Sequence, residues 1–278
     1  MKRTHNAVIG QRRVWGMFEL PPRRGTPLAE ADGDVHGTTE GHGPPLRLAV
    51  LGDSAAAGVG ALSHREALAG QLAPALTALT GQGVSWRVTA RAGATAEAVR
   101  RGLVPQLTDP LTRWTPDLVL VAVGIADARQ LRGPIAFRRD VTRLVRDIRL
   151  RLGHHVPVVF AGLPSLDPSE DAEPGVDRIM RGYLWLLDRQ LMSVAARHTA
   201  TYHLPAGLPP RIPAEWLAAD RFNLSPQGYR AWGRTLAAGI APLAERTAAG
   251  PRTEPLGGSP RGGGVFGPPD PAPSTRSR

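Results

Sequence analysis

Short apolar runs of strand character alternate with amphipathic helical patterns along the middle of this chain. The runs are rich in β-branched residues and bounded by Gly, Pro or Asp; they cover 46–54, 84–90, 117–124 and 156–164, with 201–205 as a weaker fifth. Helical patterns fill the gaps in order, over 64–79, 95–107, 137–153, 176–198 and 225–246. Repeated strand–helix–strand units give parallel strands with helices on both faces of the sheet. The sequence therefore predicts an α/β fold, a three-layer α/β/α sandwich around a mainly parallel five-stranded sheet.

The two ends of the chain differ from this central region. Residues 1–44 show no sustained periodicity and end in a turn-rich stretch, and residues 250–278 form a tail rich in Pro, Gly and Ser. Segments of this composition cannot bury enough apolar surface to order themselves. We expect a disordered leader over 1–44, one folded domain over 45–249 and a disordered tail over 250–278.

Several classes of protein are excluded by residues that the chain lacks. Cys is absent, which excludes disulfides, thiolate metal sites and a cysteine nucleophile. No cluster of His, Asp and Glu has metal-ligand spacing, so we expect no metal and no cofactor. The N-terminus lacks the apolar core of a signal peptide, and no stretch reaches the roughly 20 apolar residues of a membrane span. These features predict a cytoplasmic protein without a membrane span.

The net charge of +10 raises the question of an anionic partner. The positive charge is almost entirely arginine, because Lys2 is the only lysine, and no nucleic-acid-binding motif accompanies it. In the densest basic stretch, 137–153, apolar residues recur at helical spacing with arginines between them, which is typical of the solvated face of an amphipathic helix. We therefore expect no nucleic-acid partner. A basic surface that binds an anionic polymer is a third function, of lower rank than the two given below.

The residues that follow each strand are the candidate site residues, because ligands of such folds bind beyond the carboxyl ends of the strands. Ser54 follows the first strand in the small-residue loop GDSAAAGVG, where it is either an exposed nucleophile or the N-cap of a helix. Gly93 follows the second strand, and its amide either points at a developing oxyanion or simply permits a turn. A nucleotide-binding loop is not supported, since both the P-loop lysine and the G-x-G-x-x-G pattern are missing.

The remaining candidates lie after the third strand and near the end of the folded region. Gly124 and Asp127 form a short polar loop, and Asp220 and Asn223 come directly before a helix that begins at Ser-Pro. In order, spacing and strand context these blocks resemble those of the SGNH/GDSL hydrolase family, over roughly residues 46–245. GDS matches the family's nucleophile block, and AGAT is similar to the second block, whose Gly supplies an oxyanion-hole amide.

Two positions depart from the family's pattern. The third block of the family is Gly-x-Asn-Asp, and here Ala126 replaces the Asn whose side-chain amide completes the oxyanion hole. The fourth block is Asp-x-x-His, and here Asn223 replaces the catalytic His. An amide can hydrogen-bond to Asp220 but cannot accept a proton near neutral pH.

The resemblance implies a flavodoxin-like SGNH hydrolase fold and a serine ester hydrolase, esterase- or lipase-like, without a cofactor. Ser54 would be the nucleophile, the amides of Gly93 and Ser54 the remaining oxyanion donors, and Asp220 the surviving acid partner. We expect weak or absent activity on a small-molecule acyl ester. The alternative is a pseudoenzyme that serves as a ligand-binding or regulatory module. The sequence sets no oligomeric state.

Another group could replace the missing base. By position His64 is the best candidate, ten residues past Ser54, but it lies at a predicted helix start, where a surface side chain is expected. His154 and His155 precede the fourth strand and therefore belong at the opposite end of the sheet from Ser54, and His203 is expected to be a satisfied strand histidine. Asp220 itself would be a weak base, because the usual pKa of an aspartate is low.

Overall fold

The computed structural model describes residues 28–164 and 174–249. In these residues the strands are β1 (His36–Thr38), β2 (His42–Gly52), β3 (Gln82–Ala90), β4 (Leu118–Ala122), β5 (Val158–Ala161) and β6 (Thr201–Leu204). The α-helices are α1 (Leu68–Thr80), α2 (Ala96–Gly102), α3 (Ile125–Arg129), α4 (Pro134–Leu152), α5 (Pro174–Ala195) and α6 (Pro226–Ala249), with 3₁₀ turns at Val104–Gln106 and Ala214–Trp216. None of the helices in these two ranges is long and apolar enough to cross a membrane.

Within the described residues the strands form one sheet in the order β1-β3-β2-β4-β5-β6. The five strands from β3 to β6 along this order are parallel, and they are the five that the sequence predicts. Each predicted helical segment also contains a helix, with ends shifted by a few residues. The predicted α/β fold is therefore confirmed. The count of five strands is wrong by one, because β1 adds an antiparallel edge strand beside β3.

The prediction of a disordered leader over 1–44 is wrong for residues 28–44. His36–Thr38 pair with Ser85–Arg87 on β3, and the N–H of Val88 donates to the carbonyl of Val35 over 2.7 Å. This segment is ordered by main-chain hydrogen bonds to the edge of the sheet. Such pairing does not require apolar side chains, so the sequence shows no apolar periodicity here. The folded domain thus begins before residue 45. Residues 1–27 and the predicted tail over 250–278 lie outside the described residues.

The central strand β2 shows why the sheet is covered on both faces. Leu48 and Val50 belong to the core cluster that includes α1 and α6, whereas Ala49 and Leu51 belong to the cluster that includes α2, α4 and α5. Successive side chains of a strand point to opposite faces. The continuous apolar run LAVLG therefore requires helices on both sides of β2, which gives the three layers.

The loops after β2, β3 and β4 and the segment before α6 meet at one edge of the sheet. Ser54 lies just after the last residue of β2, and Gly93 lies just after β3. The loop of residues 53–67 carries the candidate nucleophile Ser54, and we call it the nucleophile loop. It approaches the segment before α6 so closely that a Cβ on Gly60 would lie 2.3 Å from the carbonyl oxygen of Leu224. Glycine at position 60 permits this approach. The topology therefore collects the predicted site residues from distant parts of the chain.

Candidate active site

Ser54 lies in a series of tight turns after β2, with its side chain half-buried. Its Oγ accepts a hydrogen bond from the main-chain N–H of Gly93 over 3.2 Å. The next helix, α1, has Ala67 as its N-cap, so Ser54 does not cap it. Of the two sequence interpretations of Ser54, the exposed hydroxyl at the strand end fits this arrangement.

The loop that carries Gly93 is shaped by backbone conformation. Gly93 has a φ of +72°, in the left-handed region that favours glycine, and a Cβ added there would meet nothing within 4 Å. Backbone strain, and not lack of space, therefore selects glycine here. Two residues later the chain turns into α2, where the N–H of Ala96 donates to Asp127 Oδ2 over 2.9 Å. This bond fixes the C-terminal end of the loop to α3.

Ala126 lies in the first turn of α3 and is buried. Its main-chain N–H donates to Asp53 Oδ2 over 3.4 Å, which links this loop to the nucleophile loop. Its side chain is a methyl group and donates no hydrogen bond. At the position where the SGNH/GDSL pattern has a side-chain amide, this loop offers only main-chain donors.

Asp220 and Asn223 form a closed corner before α6. Asp220 Oδ1 accepts hydrogen bonds from the N–H groups of Phe222, over 3.1 Å, and Asn223, over 2.9 Å. Asp220 Oδ2 accepts a third, from Asn223 Nδ2 over 2.5 Å. Arg221, between them, has a left-handed φ of +56°, which the aspartate-capped turn imposes. The remaining group on the Asn223 side chain, its Oδ1, accepts hydrogen bonds but does not ionise.

In the described part of the chain, the hydrogen bond of Ser54 Oγ is the one from Gly93, and no imidazole shares it. His203, on β6, bonds through Nε2 to Asp188 Oδ1 over 2.8 Å, so the prediction of a satisfied strand histidine is confirmed. His154 and His155 precede β5 at the opposite end of the sheet, as predicted.

The prediction that His64 is a surface residue at a helix start is wrong. The helix α1 begins at Leu68, and His64 is only 5% exposed. Its main-chain N–H donates to the carbonyl of Asp32 over 3.3 Å. Burial lowers the pKa of His64, opposed by the negative charges of Glu30 and Asp32. Its Nδ1 has no hydrogen-bond partner within the described residues.

Two buried carboxyl groups, those of Asp53 and Asp127, flank the site, and no catalytic role was predicted for either from the sequence. Burial raises the pKa of Asp53 to about 7 and that of Asp127 to about 6. Asp53 is the aspartate of the GDS block itself, so its place in that block was the available signal. Across residues 28–164 and 174–249, no three His, Asp or Glu side chains are grouped to hold a metal ion.

An apolar pocket opens beside Ser54 and Asn223. It is a small, partly open cleft with a predominantly apolar lining. Its apolar walls come from the segments after β4 and β5, from the start of α3, from the loops before α6 and from α6 itself: Val123, Ile125, Leu163, Leu208, Ile212, Phe222, Leu224 and Trp232. No motif in the sequence predicted this pocket. Leu163 follows β5, so the strand-end rule applied to that strand would have indicated it.

The chain shares its architecture with known esterases. A family model described as the GDSL-like Lipase/Acylhydrolase family matches residues 50–231. A family 3 carbohydrate esterase from Clostridium thermocellum aligns with a TM-score of 0.57 and 16% identity, covering 74% of this chain and 100% of the esterase. A lipase/acylhydrolase from Enterococcus faecalis aligns with a TM-score of 0.52 and 20% identity, covering 71% and 96% of the two chains.

A third structure, a family two carbohydrate esterase from Cellvibrio japonicus, aligns with a TM-score of 0.53 and 13% identity, covering 73% of this chain and 62% of that one. At such low identities, the three structures establish a shared fold and nothing finer. No curated protein matches the chain in sequence.

Proposed function

Because the chain belongs to the GDSL-like lipase/acylhydrolase family, we propose that it is a serine ester hydrolase of slow turnover that acts on a small acyl ester through Ser54. One observation carries the proposal. Ser54 Oγ lies 3.2 Å from the Gly93 N–H at the mouth of an apolar pocket, and no imidazole in the described residues is hydrogen-bonded to it. This arrangement supports a site with a nucleophile, an oxyanion donor and an acyl pocket but without a base.

The substrate binds with its acyl chain in the pocket and its carbonyl carbon at Ser54. Leu163, Ile212 and Trp232 provide apolar contact for the chain. The carbonyl oxygen then approaches the N–H groups of Gly93 and Ser54, which stabilise the negative charge that develops on it. Ser54 Oγ bonds to the carbonyl carbon and loses its proton, and the alcohol leaves with a proton. Water then hydrolyses the acyl-serine to release the acid.

Removal of the proton from the Ser54 hydroxyl is the step that limits the rate. In a serine hydrolase the imidazole takes this proton and returns it to the leaving group. Loss of that histidine in a comparable enzyme lowers kcat by about 10⁶-fold. Asn223 offers no basic nitrogen, and Asp220 already accepts three hydrogen bonds. Water is then the acceptor that remains, which makes the reaction slow.

The methyl group of Ala126 lowers the expected rate further, because it replaces a side-chain donor of the oxyanion hole. Removing one side-chain donor from an oxyanion hole lowers kcat by about 10²- to 10³-fold. Losses at residues that act together are not additive, so the two figures are not multiplied. Both nevertheless act in the same direction, toward weak hydrolysis.

The proposal is tested by assaying the full chain on short-chain p-nitrophenyl esters beside a Ser54→Ala variant. We expect slow release of p-nitrophenol that falls to the uncatalysed rate in the variant. Equal activity in both proteins would remove Ser54 from the reaction. No activity in either would leave binding as the function of the pocket.

Binding alone is the second candidate, and the corner at Asp220 favours it. Asn223 replaces the base and yet satisfies Asp220 with a 2.5 Å hydrogen bond, so the pocket is kept intact around a group that cannot perform acid–base catalysis. In this role the chain is a pseudoenzyme that holds an acyl ligand for a ligand-binding or regulatory purpose. Calorimetric titration with fatty acids tests it: binding of equal affinity in the unaltered chain and in Ser54→Ala supports a pure binding site.

A further inference from the structure

The segment 28–35, which we call the N-terminal strap, precedes the part of the chain that the family model matches. The strap lies along the nucleophile loop and is held there by main-chain hydrogen bonds. The N–H of Ala31 donates to the carbonyl of Ala57 over 3.0 Å, and the N–H of Asp32 donates to the carbonyl of Leu62 over 3.1 Å. The strap is therefore tied to the loop that carries the nucleophile.

The same strap also reaches the loop after β3. Glu30 Oε1 accepts a hydrogen bond from the main-chain N–H of Ala92 over 2.5 Å. Ala92 is the residue immediately before Gly93, whose own N–H points at Ser54 Oγ. A single carboxylate, from outside the family match, thus contacts the peptide next to the oxyanion donor.

This contact matters because the loop after β3 is short and is fixed from two sides. Asp127 holds its C-terminal end through Ala96 N–H, and Glu30 holds its N-terminal part through Ala92 N–H. Between these anchors Gly93 has a left-handed φ, and glycine is the residue with the most backbone freedom. Catalytic groups act only when they are held within about 0.5 Å of the productive geometry. Without Glu30, the N-terminal part of the loop keeps the main-chain hydrogen bond from the Arg91 N–H to the carbonyl of Gly52, over 3.2 Å, but the Ala92 N–H, in the peptide next to Gly93, loses its acceptor.

We propose that Glu30 is a positioning residue, which fixes the loop of residues 91–95 so that the Gly93 N–H stays directed at Ser54. The inference rests on the proposed role of Gly93 as an oxyanion donor. It deepens that function by assigning part of the site to the strap. A hydrogen bond to an ionised carboxylate is shorter and stronger than one between neutral groups, which suits Glu30 to this task.

Hydrogen–deuterium exchange of the full chain tests the inference without requiring turnover. Glu30→Ala removes the acceptor, Glu30→Gln keeps a weaker one, and Asp34→Asn changes an exposed carboxylate in the same strap that has no hydrogen bond in the described residues. We expect exchange at residues 91–95 to rise about tenfold in Glu30→Ala, the ratio expected for losing a hydrogen bond to a charged group. The increase should be smaller in Glu30→Gln and absent in Asp34→Asn.

Kinetics give a second readout, in a chain repaired with Asn223→His and Ala126→Asn. There Glu30→Ala should lower kcat and leave KM nearly unchanged, because the Gly93 amide acts on the transition state more than on the bound ester. Unchanged exchange at residues 91–95 in Glu30→Ala would overturn the inference, and so would faster exchange with kcat unchanged. If the repaired chain has no turnover, the proposed function fails, while the exchange result still decides whether Glu30 fixes the loop.

Discussion

The side-chain amide of Asn223 donates a hydrogen bond to Asp220 over 2.5 Å, and both side chains are buried. The N–H groups of Phe222 and Asn223 satisfy the other carboxylate oxygen of Asp220. The acid is therefore fully engaged in holding the corner before α6, and its partner is a group that does not take up a proton near neutral pH. The corner keeps an acid and a hydrogen-bonded neighbour but has no base.

Replacing Asp220 by Ala is expected to destabilise the fold. The substitution removes both carboxylate oxygens, so the N–H groups of Phe222 and Asn223 and the Nδ2 group of Asn223 lose their acceptor. A buried donor left unpaired costs about 1–3 kcal/mol. The free energy of unfolding, measured by urea denaturation, should fall by about this amount. Glu245→Gln, at an exposed position on α6, is the control and should have little effect; equal stability of the two variants would contradict this account of the corner.

The stability of the protein should depend on pH through Asp53. Burial raises the pKa of Asp53 from 3.8 to about 7, so between these values the folded state binds more proton than the unfolded chain. Stability falls with rising pH wherever the folded state binds more protons. The contribution of Asp53 to the free energy of unfolding is therefore greatest below about pH 4, declines up to about pH 7 and is constant above it.

The Asp53→Asn variant isolates this contribution, because Asn has a similar size and does not titrate. The difference in free energy of unfolding, wild type minus variant, should decrease as the pH rises through that window. Asp127, whose raised pKa acts in the same direction, is present in both proteins and largely cancels. A difference that stays constant, or that grows with pH, would show that Asp53 is not buried as a neutral acid.

Ligand binding should report the apolar pocket directly. In the unaltered chain, binding of saturated fatty acids should strengthen by about 0.8 kcal/mol for each added methylene until the pocket is filled. Ile212→Trp introduces a larger side chain into the pocket wall and should abolish this dependence on chain length beyond the first few carbons. Leu111→Trp, at a fully exposed position before β4, serves as the control. Equal chain-length dependence in the two variants would place the acyl chain elsewhere.

Much of the fold could be predicted because its central strands are covered on both faces. A strand such as β2 must be apolar on successive residues, and this leaves an unmistakable run in the sequence. The edge strand β1 could not be predicted in the same way. His36–Thr38 carry no apolar run, and their order comes from main-chain pairing with β3. Such pairing depends on a sheet edge that exists only in the folded chain.

The residues of the candidate site also fall into those that the sequence could predict and those that it could not. Ser54, Gly93, Asp220 and Asn223 lie at the ends of regular elements, where a short motif and the order of strands identify them. The burial of His64 and the contact from Glu30 could not be predicted, because both depend on where the N-terminal strap packs. The pocket walls at Leu208 and Ile212 come from an irregular loop, whose position is set by tertiary contacts alone.

The central claim is that Ser54 lacks an acceptor for its proton, and Asn223→His tests it most directly. The measurement is kcat on a short-chain p-nitrophenyl ester for the unaltered chain, for Asn223→His and for Asn223→His with Ser54→Ala. Since the histidine of a serine hydrolase is worth about 10⁶-fold in kcat, we expect a gain of at least about 10²-fold even with Ala126 in place. This gain should vanish when Ser54 is removed. Rapid Ser54-dependent turnover by the unaltered chain, or no gain from the histidine, would contradict the account.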